Sequence, residues 1–269
     1  MCRRLHSQVV GMEICHSPRI PIETTGRLLA RSDLESMHGA VIEDVKRHGK
    51  YIIFSTRAGT LVSHCAMSGF WDTDLEPWTF DYVEGRRTVD TQHVRCRIPT
   101  VEIGRTRRGP VLRYHDVRKF GRLDFCPIDV DGFVLAKRMG PEALVTERAA
   151  TVTQFVGRSL GSDFRPIKQV LTDQSVVAGV GNIYSTEALW RASVWPWMPS
   201  AALSIGETME LMVCLQEVLE EALHHEVRYD RFLRVYRQRS CVRCGTTIAR
   251  ESLAKRATYY CPRCQRAPF

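Results

Sequence analysis

At 269 residues, with 38 Lys and Arg against 30 Asp and Glu and a net charge of +8, the chain is long enough to bury a core and basic enough to favour a polyanionic partner. Its 44% apolar content excludes a disordered chain. No run approaches the roughly 18 apolar residues needed to span a bilayer, and no signal-peptide run follows the basic start, so a cytoplasmic protein without a membrane partner is expected.

From Val41 to Phe125 the chain reads as short β-rich runs separated by Gly- and Asp-containing turns. Tyr51–Phe54, Thr60–His64, His93–Ile98 and Val111–Tyr114 are the clearest. They predict a β-sandwich or barrel over residues 1–130. After Pro127 the period changes to a helical one over Asp131–Met139, Glu147–Leu160, Pro166–Asp173, Tyr184–Ala192 and Ile205–His225. A helical domain over 141–238 follows, with its boundary at Gly140-Pro141, and a third unit over 239–269 begins near Ser240. The fold class is α+β. Internal repeats and low-complexity tracts are absent from the sequence.

Six cysteines, Cys2, Cys15, Cys65, Cys96, Cys126 and Cys214, are scattered, whereas Cys241, Cys244, Cys261 and Cys264 form the pattern C-x2-C-x16-C-x2-C. That spacing is expected of a structural zinc ribbon, in which two turns supply four thiolates to one Zn²⁺ and leave no open position for catalysis. Scattered cysteines in a reducing compartment act as small buried hydrophobes. Between the pairs, Ala249–Tyr260 reads as a hairpin whose turn displays Lys255 and Arg256. Such a tip suits a phosphate, although a basic hairpin tip taken alone is an ordinary solvated one.

In the helical half, Asp173-Gln-Ser-Val-Val-Ala-Gly-Val-Gly-Asn-Ile-Tyr184 places Gly179 and Gly181 between two helices. Glycines let a backbone approach a ligand, and the following helix N-terminus offers N–H groups to an anion. AGVGNIYSTEALW, preceded by RPIKQVLTDQ and followed by the finger with its KRATYYCPRCQ, resembles the formamidopyrimidine-DNA glycosylase and endonuclease VIII family of base-excision repair enzymes. Arg47-His-Gly-Lys-Tyr51, Ser63-His-Cys-Ala-Met-Ser-Gly69 and Tyr114-His-Asp-Val-Arg-Lys-Phe-Gly121 are similar to the family's stretches in the same order. The resemblance covers nearly the whole chain from Leu5 onward.

That resemblance implies a helix-two-turn-helix element in which Asn182 and Arg256 hold the backbone of the lesion-bearing strand, with Lys50 at a phosphate-binding position and His64 beside it. It implies that Met67, Arg118 and Phe120 fill the gap left by a base turned out of the stack. A flexible apolar wedge, a guanidinium for the orphaned base and a ring to stack suit that task chemically. Taken singly, Met67 and Phe120 would be core residues, Arg118 a surface charge, Lys50 a solvated lysine and His64 a structural histidine. Their shared order beside the glycine turn and finger gives them the functional reading.

Family members begin with Pro-Glu, whose proline amine attacks the sugar. This chain has Met1-Cys2-Arg3-Arg4-Leu5 where the resemblance places the first helix, roughly nine residues further on. Three readings stay open: a coding start further upstream, a non-catalytic protein that binds abasic or distorted DNA, and Cys2 as a substitute nucleophile. The expected function is a DNA glycosylase and abasic-site lyase acting as a monomer on damaged duplex DNA, impaired in the chain as written. The short passage from Tyr229 to Ser240 lacks room for a long loop over the lesion and leaves the lesion class open between oxidised pyrimidines and purines.

Overall fold

The computed structural model describes residues 1–15, 23–24, 28–29, 31–75, 79–82, 85–88, 93–104, 107–144, 164–225 and 229–267. The helix expected over Glu147–Leu160 lies outside them. Contacts divide the chain into two compact units, Met1–Ala136 and Lys137–Phe269.

The first unit opens with helix α1 (Cys2–Val9), whose Leu5 and Val9 fall one turn apart and are both buried. Each contributes about 1.5–3 kcal/mol by leaving water. The helix stops where Val10 becomes extended and Gly11 takes φ +83°. Then come β1 (Met12–Ile14), β2 (Glu23–Thr24), α2 (Arg31–Met37), β3 (Ile42–His48), β4 (Tyr51–Thr56), β5 (Gly59–His64), β6 (Gly69–Thr73), β7 (Thr79–Tyr82), β8 (Gly85–Thr88), β9 (Val94–Glu102), β10 (Arg108–Asp116), β11 (Arg122–Cys126) and α3 (Val130–Ala136).

One antiparallel sheet runs β1-β9-β10-β6, with β2 also paired to β9, and the other runs β11-β5-β4-β3. Trp71, Cys96, Ile98, Leu112 and Tyr114 of the first sheet share a core with Phe54, Leu61 and Leu123 of the second and with Leu5 and Val9 of α1. This is the sandwich solution expected from the alternation, with α1 closing the core. The hairpin β7-β8 forms a separate two-stranded sheet. Helix α3 ends three residues before Met139, the expected end, because Arg138 takes φ +50° ahead of Gly140-Pro141.

In the second unit, α4 (Ile167–Thr172) and α5 (Asn182–Arg191) flank the glycine turn. A 3₁₀ turn (Ser200–Ala202) leads into α6 (Ile205–His224), followed by α7 (Tyr229–Phe232) and the hairpin β12 (Ala249–Leu253) and β13 (Arg256–Tyr260). Ser204 and Glu207 close a reciprocal capping box at the start of α6. Ile167, Val170, Leu171, Val180, Leu189, Leu211 and Leu215 form the helical core. The finger belongs to this unit: Gln265 Nε2 donates to Val194 O at 2.9 Å, and Glu187 accepts from the backbone N–H of Arg234, Val235 and Tyr236 at 2.9, 3.1 and 2.8 Å.

Candidate nucleic-acid interface and metal centre

Two crossings between the sheets carry three of the expected site residues. Residues 65–68 join β5 to β6, and 117–121 join β10 to β11. Between them sits the buried carboxylate of Asp116. Its Oδ1 accepts from Ser68 Oγ at 2.5 Å and from the Arg118 N–H at 3.2 Å, while Oδ2 accepts from the Gly121 N–H at 2.7 Å. One side chain therefore ties both crossings together. Each crossing also holds a non-glycine residue in the left-handed region, Ala66 at φ +51° and Lys119 at φ +59°, a conformation that persists only when its surroundings impose it.

The crossings hold Met67, Arg118 and Phe120 together. Arg118 Nη1 lies 3.4 Å from Met67 Sδ, and its guanidinium carbon is 5.0 Å from the centroid of the Phe120 ring. Met67 is 73% exposed and Phe120 57%, which removes the core reading for both. An apolar chain, a cation and a ring stand together in solvent.

Lys50 and His64 lie at the neighbouring strand ends. Lys50 follows Gly49, which takes φ +57°, and Tyr51 pairs with His64, their rings 5.0 Å apart. Burial, reinforced by Lys50 and Arg122, holds the His64 imidazole below its ordinary pKa, so it is neutral near pH 7. Cys2 is placed differently from a nucleophile. It packs against the sandwich core at the start of α1, and burial pushes its thiol pKa up, away from the reactive thiolate.

In the second unit the glycine turn is stapled by a residue the sequence reading passed over. Gln174 donates from Nε2 to Thr172 O and Val180 O, both at 3.0 Å, and accepts from the Gly179 N–H at 3.0 Å. Gly179 takes φ +97°, which few other residues tolerate. Helix α5 then starts at Asn182, two residues earlier than Tyr184, its N-cap Gly181 offering no side-chain cap. The first N–H groups of an α-helix have no intrahelical partner.

A cavity of about 310 Å³ lies between α4, the start of α5 and the finger hairpin, lined by Arg165, Lys168, Asp173, Asn182 and Arg256 among others. Arg165 pairs with Asp173 at 2.8 Å. Asn182 donates from Nδ2 to Ala257 O at 3.0 Å, and its Oδ1 is buried with no hydrogen-bond partner among the described residues. Its amide thus docks the finger, bringing the exposed Arg256 beside the helix terminus.

Lys168 escaped the sequence reading because it sits in an apolar stretch. It is 3% exposed and donates from Nζ to Thr258 Oγ1 at 2.7 Å. Burial, with Arg256 adding like charge, lowers its pKa from 10.5 to about 7. Between those two values the unfolded chain keeps a proton that the folded chain releases, so stability rises with pH across the window. Lys168→Met is expected to remove that share of the rise. Urea unfolding of both proteins from pH 6 to 10 checks it, and parallel pH profiles would contradict the assignment.

The finger's four sulfurs all lie within 4.8 Å of one another, with Cys241 and Cys264 3.9 Å apart and Cys244 and Cys261 3.5 Å apart. Sulfurs on the corners of a tetrahedron with metal–sulfur bonds of about 2.3 Å are ~3.8 Å apart, so the set fits a four-coordinate metal. Thr246, whose Oγ1 lies 3.3 Å from Cys244 Sγ and whose backbone N–H also bonds it, pulls the Cys244 thiol down to about 6.

The formamidopyrimidine-DNA glycosylase N-terminal domain matches residues 1–123, the H2TH domain of the same glycosylases matches 139–231, and a zinc finger found in FPG and IleRS matches 241–267. The formamidopyrimidine-DNA glycosylase of Streptococcus pneumoniae (strain ATCC BAA-255 / R6) is 31% identical over 289 aligned positions, covering 99% of this chain and 96% of that protein. The chain belongs to the formamidopyrimidine-DNA glycosylase family. The glycosylase of Parasynechococcus marenigrum (strain WH8102) is 32% identical over 96% of this chain and 92% of its own length.

Among solved structures, the Lactococcus lactis glycosylase bound non-covalently to DNA containing an AP site superposes with a TM-score of 0.76 at 27% identity, covering 98% of this chain and 96% of that one. A MutM complex with DNA containing carbocyclic 8-oxo-G gives 0.75 at 27% identity, with the same coverage. This chain shares with those glycosylases an N-terminal β-sandwich, an H2TH domain and a C-terminal four-cysteine finger. No helix among the described residues is long and apolar enough to cross a membrane.

Proposed function

We propose that this glycosylase-family chain, with the family's Pro-Glu start in place, removes oxidised bases from duplex DNA and cleaves the resulting abasic site, working as a monomer. The observation that carries the reading is the exposed Met67–Arg118–Phe120 group fixed by Asp116. An enzyme that acts on a base must turn it out of the stack at a cost of a few kcal/mol, and the vacated space must be refilled. A methionine enters as the flexible wedge, the guanidinium meets the hydrogen-bonding edge of the unpaired base, and the ring stacks.

The backbone of the damaged strand is held in the second unit. The start of α5 lies at a cavity that Arg256 and Arg165 line with positive charge. Lys50 and the neutral His64 offer donors to a phosphate from the first unit. The metal is Zn²⁺, held by Cys241, Cys244, Cys261 and Cys264. Four thiolates close its coordination, so it holds the hairpin that carries Arg256 and takes no chemical step. All ten cysteines are free of disulfides, which suits a reducing cytoplasm.

The test is incubation with a duplex carrying one formamidopyrimidine lesion, followed by detection of the released base. Release above the rate for an undamaged duplex is expected, and a tightly bound but chemically intact lesion would overturn the catalytic reading. In the same system Arg256→Ala is expected to weaken binding to every duplex and to lower the slope of log K against log salt by about 0.9. An unchanged slope would remove Arg256 from the phosphate contact.

A further inference from the structure

Helix α5 begins at the cavity and ends on the metal centre. At its last turn the Trp190 indole is buried, and its Nε1–H lies 3.4 Å from Cys241 Sγ, donating to one of the four metal-ligand sulfurs. The contact is gripped from the other side. Arg243, in the turn between Cys241 and Cys244, lays its guanidinium carbon 4.1 Å from the centroid of the indole ring. The same guanidinium donates from Nη1 to Trp190 O at 2.9 Å and Ser193 Oγ at 3.0 Å, and from Nη2 to Arg191 O at 2.8 Å. The metal turn therefore caps the C-terminal carbonyls of α5, and α5 returns a donor to the metal's ligand.

We propose that Trp190 is a positioning residue of the metal centre, its indole N–H holding Cys241 Sγ in the ligand geometry so that metal retention depends on helix α5. An N–H aimed at a thiolate sulfur favours the charged, metal-bound sulfur over a displaced one and fixes the side chain's direction. Burial makes the contact count for more, because no water replaces the N–H when the ring is held in place. Arg243 supplies the lock: its stack and its bonds to the end of α5 prevent the indole from turning its N–H away from the sulfur. The assignment concerns how the finger keeps its metal, and it stands whether or not the proposed excision activity is found.

Trp190→Phe is the decisive variant, because phenylalanine keeps a flat ring beneath Arg243 and deletes the N–H. Zinc-loaded full-length protein is placed in excess pyridylazoresorcinol, and the rate of zinc transfer is read by absorbance. Release about 10-fold faster than wild type is expected. In the cobalt-substituted proteins the thiolate-to-metal charge-transfer band should shift in the variant, a signature that a purely packing role for the ring would leave in place. Equal release rates with an unshifted band would overturn the proposal.

Should Trp190→Phe not fold, the wild-type chain still decides the question. The Trp190 indole proton should exchange with solvent slowly in the zinc-loaded protein, as seen by proton–nitrogen NMR, and rapidly after zinc is removed. Rapid exchange in the loaded protein would overturn the assignment.

Discussion

Stripping the finger of its metal, or replacing Cys244 by Ser, is expected to weaken DNA binding about 100-fold, or ~2.7 kcal/mol, while leaving the β-sandwich folded. The reason lies in what the finger is made of. Its core consists of Trp190, Val235, Cys241, Ile248 and Cys261, so two of five buried side chains are metal ligands. A hairpin this small has too little apolar surface to fold unaided, and structural zinc supplies about 10–16 kcal/mol in comparable modules. Without it β13 loses its place, and Arg256 leaves the cavity. Losing one or two charged phosphate contacts at about 1.5–3 kcal/mol each accounts for the expected drop.

Among the described residues, the sandwich core by contrast draws on none beyond Phe125. Fluorescence anisotropy on a labelled duplex with and without chelator, paired with the far-ultraviolet β-sheet signal, tests both halves of the expectation. Unchanged affinity, or loss of the β signal, would contradict this division of labour.

Gly121→Ala is expected to cost the first unit about 3 kcal/mol and to displace the wedge with it. A Cβ at position 121 would stand 1.7 Å from Tyr114 Oη, 2.9 Å from Tyr114 Cζ and 3.0 Å from Asp116 Oδ2. Tyr114 cannot retreat, since its ring is fully buried and packs 5.2 Å from that of Trp71 between the sheets. Gly69 faces the same hydroxyl, its added Cβ falling 2.2 Å away. Both glycines thus face the Tyr114 hydroxyl, and at Gly69 the added Cβ would also meet Cys65 O at 2.5 Å.

The Tyr114 hydroxyl is buried and finds no hydrogen-bond partner among the described residues, and burial drives its pKa up. Tyr114→Phe should consequently be well tolerated and should recover part of the Gly121→Ala loss, because the nearest obstacle is gone while Cζ remains. Urea unfolding of the two single variants and the double variant gives the coupling directly. Strict additivity would contradict the steric account.

The metal site was legible in the sequence because its ligands come in two pairs, each three residues apart, and local spacing alone sets their geometry. The strands were legible from their alternation, and the glycine turn from its punctuation. Helix ends were less so: α5 starts at Asn182 because Gly181 is extended, which period alone does not reveal. Three features could not be read at all. Asp116 meets Ser68 across 48 positions, Trp190 meets Cys241 across 51, and Lys168 meets Thr258 across 90. Each contact depends on which segments the fold brings together, so the residue looks ordinary in the linear text. In the linear text Gly69 and Gly121 look like letters of a motif, whereas the Tyr114 hydroxyl that crowds both is brought to them only by the fold.

The central claim is that the chain carries out glycosylase and lyase chemistry on the strand it holds. Borohydride trapping on a duplex bearing a single abasic site tests it most directly, because reduction fixes any imine between a protein amine and the opened sugar. For the chain extended by the family's Pro-Glu start, the account predicts a protein band shifted by the mass of the attached strand, dependent on borohydride and absent with undamaged DNA. Tight binding of the abasic duplex with no trapped band would contradict it and identify the chain as a reader of damage that performs no cleavage.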